Sequence, residues 1–162
     1  MAFGDMLDAF AAAVREGDGA ALAALFTEDG VYDDVFYGIF KGREAIAAMI
    51  DGLFHRDGRD FRWDFENPVD NGRTGYAEWL FSYTAATAHA EGTRVVFEGV
   101  GLFDLEGGLI RRYRDFCNGA VPLRQMGTPP EVLFRVINKW QAALEARPGH
   151  AEHKSAGGDA DT

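Results

Sequence analysis

A chain of 162 residues, 47% hydrophobic and 13% aromatic, has the size of one globular domain and enough apolar side chains for a substantial core. Sixteen Lys and Arg against 26 Asp and Glu leave a net charge of −10, which repels a phosphate backbone and argues against a nucleic-acid partner. The single cysteine, Cys117, excludes an internal disulfide and suits a reducing compartment, so a cytoplasmic location is expected. Acids occur early in "MAFGDMLDAFAAAVREG", and no apolar run of about 18 residues follows, so neither a secretory signal nor a membrane span is expected.

Phe3, Met6, Leu7, Phe10 and Val14 recur at helical spacing, and Gly17 stands where a helix would stop. Asp18 is placed to cap a second helix over 20–26. "VYDD" and "IFKG" predict two short strands, and Ile46, Met49, Ile50 and Leu53 in "GREAIAAMIDGLF" predict a third helix. From residue 61 onward, four long strand-like runs follow: "FRWDFENPV", "TGYAEWLFSYTA", "TRVVFEGVGLFDL" and "LIRRYRDFCN". Between them lie "DNGR", "HAEG" and "EGG", which have turn chemistry. "GVG" at 99–101 reads as a bend in a curved sheet, since no helix follows it to make a nucleotide loop. Pro129 and Pro130 open a last helix, 130–146, with Val132, Leu133, Val136, Ile137, Trp140 and Leu144 along one face. The tail 147–162 offers almost nothing to bury and is expected to be disordered.

Helices followed by a meander of long strands make an α+β domain, 1–146, in which a curved, mostly antiparallel sheet wraps helices. A bent sheet closed by helices leaves a conical pocket, the usual form of a small-molecule site.

Helix, "GD", helix, "LFTEDGVYDD", "GREAI" and then "GLFDLEGGLIRRYRDF" resemble the nuclear transport factor 2-like (cystatin-like) superfold. The resemblance is to its SnoaL-like branch, with the limonene epoxide hydrolases, polyketide cyclases and steroid isomerases, and it covers residues 5 to about 128. It implies cofactor-free acid–base chemistry on a small hydrophobic molecule: isomerisation, cyclisation, hydration or dehydration, or hydrolysis. A noncatalytic ligand-binding or dimerisation module of the same fold is the alternative, because this superfold hosts many unrelated activities.

Adjacent aspartates inside "VYDDVFYG" can be separated by parity. Side chains alternate across a strand, so Tyr32 and Asp34 share one face and Asp33 points away. By similarity to the steroid isomerases, Asp34 falls on the carboxylate that shuttles a proton; by similarity to the epoxide hydrolases, Tyr32 and Asp34 fall on residues that hold the reacting water. In "RRYRDFCN", alternation groups Arg111, Tyr113, Asp115 and Cys117 against Arg112, Arg114 and Phe116, and Asp115 matches the second aspartate of the epoxide hydrolases. The family's remaining Arg and Asp fall on Glu78 and Leu80 in a gap-free count, so that water-activating triad is broken. The steroid isomerases' phenol falls on Phe10 and their acid near Gly101, neither of which donates a hydrogen bond through its side chain. Asp34, Asp115 and Tyr32 are therefore the candidate catalytic residues, and Glu78, Tyr113, Phe10 and Leu80 the candidate substrate-binding ones. Acids crowded in a low-dielectric pocket should have at least one raised pKa.

No metal and no organic cofactor is expected, since the histidines lie apart and no phosphate loop is present. His55 is read as a surface residue at a helix end, His89 as part of a hairpin loop, and His150 and His153 as members of the tail. If Glu78 faces the pocket, Trp79, Phe81 and Tyr83, with Trp63 and Phe65, cover the outer sheet face and predict a homodimer. The opposite parity puts those aromatics inside and Glu78 outside.

Overall fold

The computed structural model describes residues 1–156. Two compact units are formed, Met1–Gly127 and the residues from Thr128 onward.

In the first unit, helix α1 (Phe3–Glu16) buries Phe3, Met6, Leu7, Phe10, Ala13 and Val14 along one stripe. It stops at Gly17, whose left-handed backbone (φ 71) and N–H bonds to Ala13 and Val14 carbonyls close the last turn. The side chain of Asp18 accepts from the Ala21 N–H at 2.8 Å and so caps α2 (Gly19–Ala24). α2 ends two residues short of the expected boundary because Phe26 already opens strand β1 (Phe26–Asp34). β2 (Gly38–Lys41) folds back on β1 as a hairpin. α3 (Arg43–Met49) widens into a π-helical segment, Ile50–Phe54, and closes with the short turn α4 (His55–Asp57).

The four long strands follow: β3 (Gly58–Asp70), β4 (Thr74–Ala85), β5 (Arg94–Glu106) and β6 (Leu109–Cys117). With the first two they make one six-stranded sheet in the order β2-β1-β6-β5-β4-β3. Only β1 and β6 pair in parallel. The fold is α+β, as expected. The sheet has an inner face, which packs against α1, and an outer face.

Rings dominate the inner face. Phe10, fully buried on α1, lies 5.0 Å from Tyr113, 5.3 Å from Trp63 and 6.0 Å from Tyr32 between ring centroids. Burying each such ring contributes roughly 2–3 kcal/mol. Two glycines let rings lie on the strands: a Cβ on Gly99 would sit 2.4 Å from the Trp79 ring, and one on Gly101 would sit 2.9 Å from Phe103. "GVG" is thus a pair of contact glycines, and neither is among the positive-φ residues.

Beyond Cys117 the β6 edge of β5 is open, and α5 (Ala120–Gln125) covers it. The Gln125 amide accepts from the Val96 N–H at 2.8 Å and donates to the Val96 carbonyl at 2.7 Å, standing in for a neighbouring strand.

The second unit contains α6 (Pro130–Glu145) and α7 (His150–Ser155). On α6 the stripe Val132, Leu133, Val136, Ile137 and Trp140 is half-buried, whereas Leu144 is exposed. The segment expected to be disordered, 147–162, includes α7 and then passes outside the described residues. Among the described residues, no helix is long and apolar enough to cross a membrane.

Candidate functional site

Parity in β1 and β6 builds the site. Tyr32 pairs with Tyr113 across the parallel ladder and Asp33 with Arg114, so Asp34 and Asp115 continue one row on the inner face. Across β5 and β4 that row continues through Gly101 and Ala77, the smallest residues available. Tyr32 and Tyr113 are fully buried, with ring centroids 4.9 Å apart. Asp33 turns to the other face, where Arg112 donates to it at 2.6 Å.

Asp34 is 8% exposed. Its Oδ1 accepts from the Phe36 N–H at 2.8 Å and the Tyr37 N–H at 2.7 Å, a turn that ends β1 and fixes the carboxyl. Burial pushes its pKa up to about 6, against the pull of those two N–H groups. Asp115, partly buried, accepts a hydrogen bond from the Tyr113 hydroxyl. Burial holds the Asp115 pKa well above the usual carboxylate range; the neighbouring Asp34 charge adds to this, and the Tyr113 hydrogen bond offsets part of it. The two acids titrate as a coupled pair. A charge on Asp34 favours the neutral form of Asp115. Burial and then the charges on both acids also raise Tyr32 and Tyr113 far above a normal phenol, and raise the Cys117 thiol to about 12. Cys117 is accordingly a poor nucleophile.

None of the ion pairs found among the described residues puts a cation on either acid. Arg112 serves Asp33, Arg111 approaches Glu106 at 3.7 Å, and Arg114 lies over the Phe116 ring at 5.0 Å. Arg111 does not share the Tyr113 face as simple alternation expects. Asp104 pairs with Arg112 and Leu105 with Ile110, so Arg111 is the extra residue of a β-bulge and turns outward.

Two expected site residues lie elsewhere. Glu78 is exposed on the outer face and accepts from Asn67 at 2.7 Å; Leu80, 44% exposed, is on the same face. Trp79 and Phe81 are buried on the inner face with Trp63. β3 carries two bulges, near Asp60 and Asn67, whose φ angles are 55° and 49°, but two single insertions cancel in parity. The face of Glu78 and Leu80 is set within β4 itself, which pairs with β5 without a break from Thr74 to Thr84 and buries Ala77, Trp79 and Phe81 on the opposite side. The informative signal was in β3 itself, where Arg62, Asp64 and Glu66 alternate with Phe61, Trp63 and Phe65 and mark the wet face. Phe10 lies inside, at the centre of the ring cluster.

Trp63 and Trp79 are polar members of the inner face that sequence reasoning left out. Their indole Nε1 atoms, and the Tyr32 hydroxyl, are buried with no hydrogen-bond partner among the described residues. His55 Nε2 donates to the Val14 carbonyl, 2.8 Å away, with its ring against Phe61. Among the described residues, no group of three or more His, Cys, Asp and Glu is arranged to hold a metal ion. A separate surface groove, lined by Arg73, Thr74, Asp104, Leu105, Glu106 and Arg111, lies by the β5–β6 turn and contains neither acid of the pair.

Comparisons with known proteins agree with this architecture. A ketosteroid isomerase-like-fold protein from Catenulispora acidiphila, solved in complex with trimethylamine, superposes with a TM-score of 0.69. It has 23% identity over 78% of this chain and 95% of that one. An epoxide hydrolase from M. tuberculosis of the LEH-like type gives 0.62, with 18% identity over 80% of this chain and 92% of that one. SalBIII, an epoxide hydrolase/cyclase-like enzyme with a role in pyran ring formation in salinomycin, gives 0.60, with 20% identity over 73% and 92%. At these identities the likeness concerns the fold. No curated protein matches the sequence. The SnoaL-like domain family matches residues 7–113, from α1 through the inner-face tyrosine of β6, and the chain belongs to that family.

Proposed function

We propose that this SnoaL-like protein is a cofactor-independent acid–base catalyst that moves a proton on a small hydrophobic molecule. In this reading Asp34 is the base and protonated Asp115 the acid, while Tyr32, Tyr113 and Phe10 shape the surface on which the substrate lies. The observation that carries it is the pair of inner-face carboxyls with no ion-pairing cation among the described residues, one raised to about 6 and the other pushed well above the usual carboxylate range by burial and by its neighbour. Two carboxyls whose environments separate their titrations supply a base and an acid at neutral pH. A small-molecule occupant accords with the neighbour solved with trimethylamine, and proton-driven ring chemistry with the epoxide hydrolase and cyclase-like neighbours. The noncatalytic module is disfavoured because it would leave the acids in ordinary salt bridges.

The test is carboxyl ¹³C titration of Asp34 and Asp115, combined with a screen of hydrophobic ketones, enones and epoxides between pH 4 and 9. We expect a rate limb near the Asp34 titration, lost in Asp34→Asn and Asp115→Asn. Both carboxyls titrating near pH 4 would leave no poised base, and the module reading would stand instead.

A homodimer is proposed on a different footing from the aromatic argument. Tyr76, Leu80, Val96, Val100 and Phe116 are all exposed and stand on the outer sheet face, where a second copy could cover them.

A further inference from the structure

A buried N–H without an acceptor costs about 1–3 kcal/mol, so native interiors seldom leave one idle. Here two buried N–H groups, the Trp63 and Trp79 indoles, and one buried O–H, the Tyr32 hydroxyl, have no partner among the described residues; all three lie in one ring cluster, each side chain more than nine-tenths buried. The two indoles share the inner face with the acid pair. Trp63 lies 6.4 Å from the ring of Tyr113, which donates to Asp115. Trp79 lies on Gly99, which pairs with Cys117, two residues beyond Asp115 on the same face. The two indole rings meet edge to face at 5.8 Å. Phe10 and Gly101, where the resemblance to steroid isomerases would require donors, supply none. We propose that Trp63 and Trp79 are ligand-binding residues whose indole N–H groups hold an acceptor oxygen on the molecule received by the inner face.

The chemistry narrows that oxygen. A carboxylate or phosphate would meet two acids with no counter-cation among the described residues. A neutral carbonyl accepts from both indoles at no such cost, and Tyr32 is a third donor if charge develops on the oxygen. The inference rests on the acid–base reading for its setting and adds the end of the substrate that is held.

The test is a binding experiment on the full ¹⁵N-labelled chain. Its three tryptophans give three indole N–H cross-peaks, assigned with Trp63→Phe, Trp79→Phe and Trp140→Phe. The probes are acetophenone and α-methylstyrene, which differ by C=O against C=CH₂ at nearly the same shape. We expect acetophenone to bind about tenfold more tightly and to move the Trp63 and Trp79 indole protons downfield, as the alkene does not. Trp63→Phe and Trp79→Phe should each reduce the ketone preference while leaving alkene affinity in place. Equal affinity of the two probes for the wild-type chain overturns the proposal. So does a ketone that leaves both peaks unmoved, or tighter binding of phenyltrimethylammonium than of acetophenone. The wild-type comparison stands even if a variant fails to fold. Asp34→Asn should keep the indole shifts and the ketone preference while losing proton transfer, so failure of the acid–base reading and failure of this one are seen separately.

Discussion

Asp34 is held by two opposing influences, and their balance can be measured. Burial favours its neutral form, while the Phe36 and Tyr37 N–H groups favour the ionised one; burial wins, with a pKa of about 6. A carboxyl raised in the folded state destabilises the fold only when ionised. The cost is absent below pH 4, grows between pH 4 and 6, and is complete above, reaching at most about 3 kcal/mol. Asn at this position keeps the Oδ1 acceptor for the turn and removes the charge. Asp34→Asn should therefore stabilise the protein at pH 8 by about 1–3 kcal/mol and much less at pH 5, as urea unfolding at the two pH values would report. An equal effect at both would show that the carboxyl is not raised. Asp34→Ala, which also loses the turn acceptor, should gain less.

The strands are specified by small residues as much as by large ones. Gly99 accepts the Trp79 ring on one side and the Phe116 carbonyl on the other, at 2.4 and 2.5 Å from where a Cβ would stand. Backbone cannot give way as a flexible side chain can. Gly99→Ala should cost about 1–3 kcal/mol and displace Trp79, seen as a changed indole emission. Gly52, in the π-helical segment, has nothing within 4 Å of its Cβ position, so Gly52→Ala should be neutral or stabilising by up to about 1 kcal/mol. A Gly99→Ala protein as stable as the Gly52→Ala protein would contradict the contact account.

At the scale of the whole molecule, the outer sheet face is where the proposed dimer would form. Its apolar side chains stand among Asp64, Glu66, Glu78 and Glu98, so a partner must cover the apolar patch while leaving those acids wet. Leu80→Glu with Phe116→Glu, at 44% and 47% exposure, should turn a dimer into a folded monomer in sedimentation at micromolar concentration. A wild-type chain that sediments as a monomer there would end the proposal. Trp79→Glu cannot serve as the test, because it would bury a charge in the core and unfold the chain.

What the sequence determined by itself was local: the stop of α1 at Gly17, the Asp18 cap, the strand order in the chain, and the two faces of β1 and of β6 from Arg112 to Cys117. These follow from φ preferences, capping chemistry and a period of two within unbroken strands. It also placed Tyr32, Asp34 and Asp115 on one face, because no bulge intervenes between Tyr32 and Asp34 or between Tyr113 and Asp115. What only the tertiary structure decided lies beyond a bulge or depends on pairing. Arg111 turned outward because a single inserted residue at a β-bulge reset the register of β6, and Glu78 and Leu80 left the site because the face of β4 that is buried is decided by which side of the sheet receives α1. The indole donors of Trp63 and Trp79 were likewise invisible in sequence, since whether a buried N–H finds an acceptor depends on which strand the sheet brings alongside it.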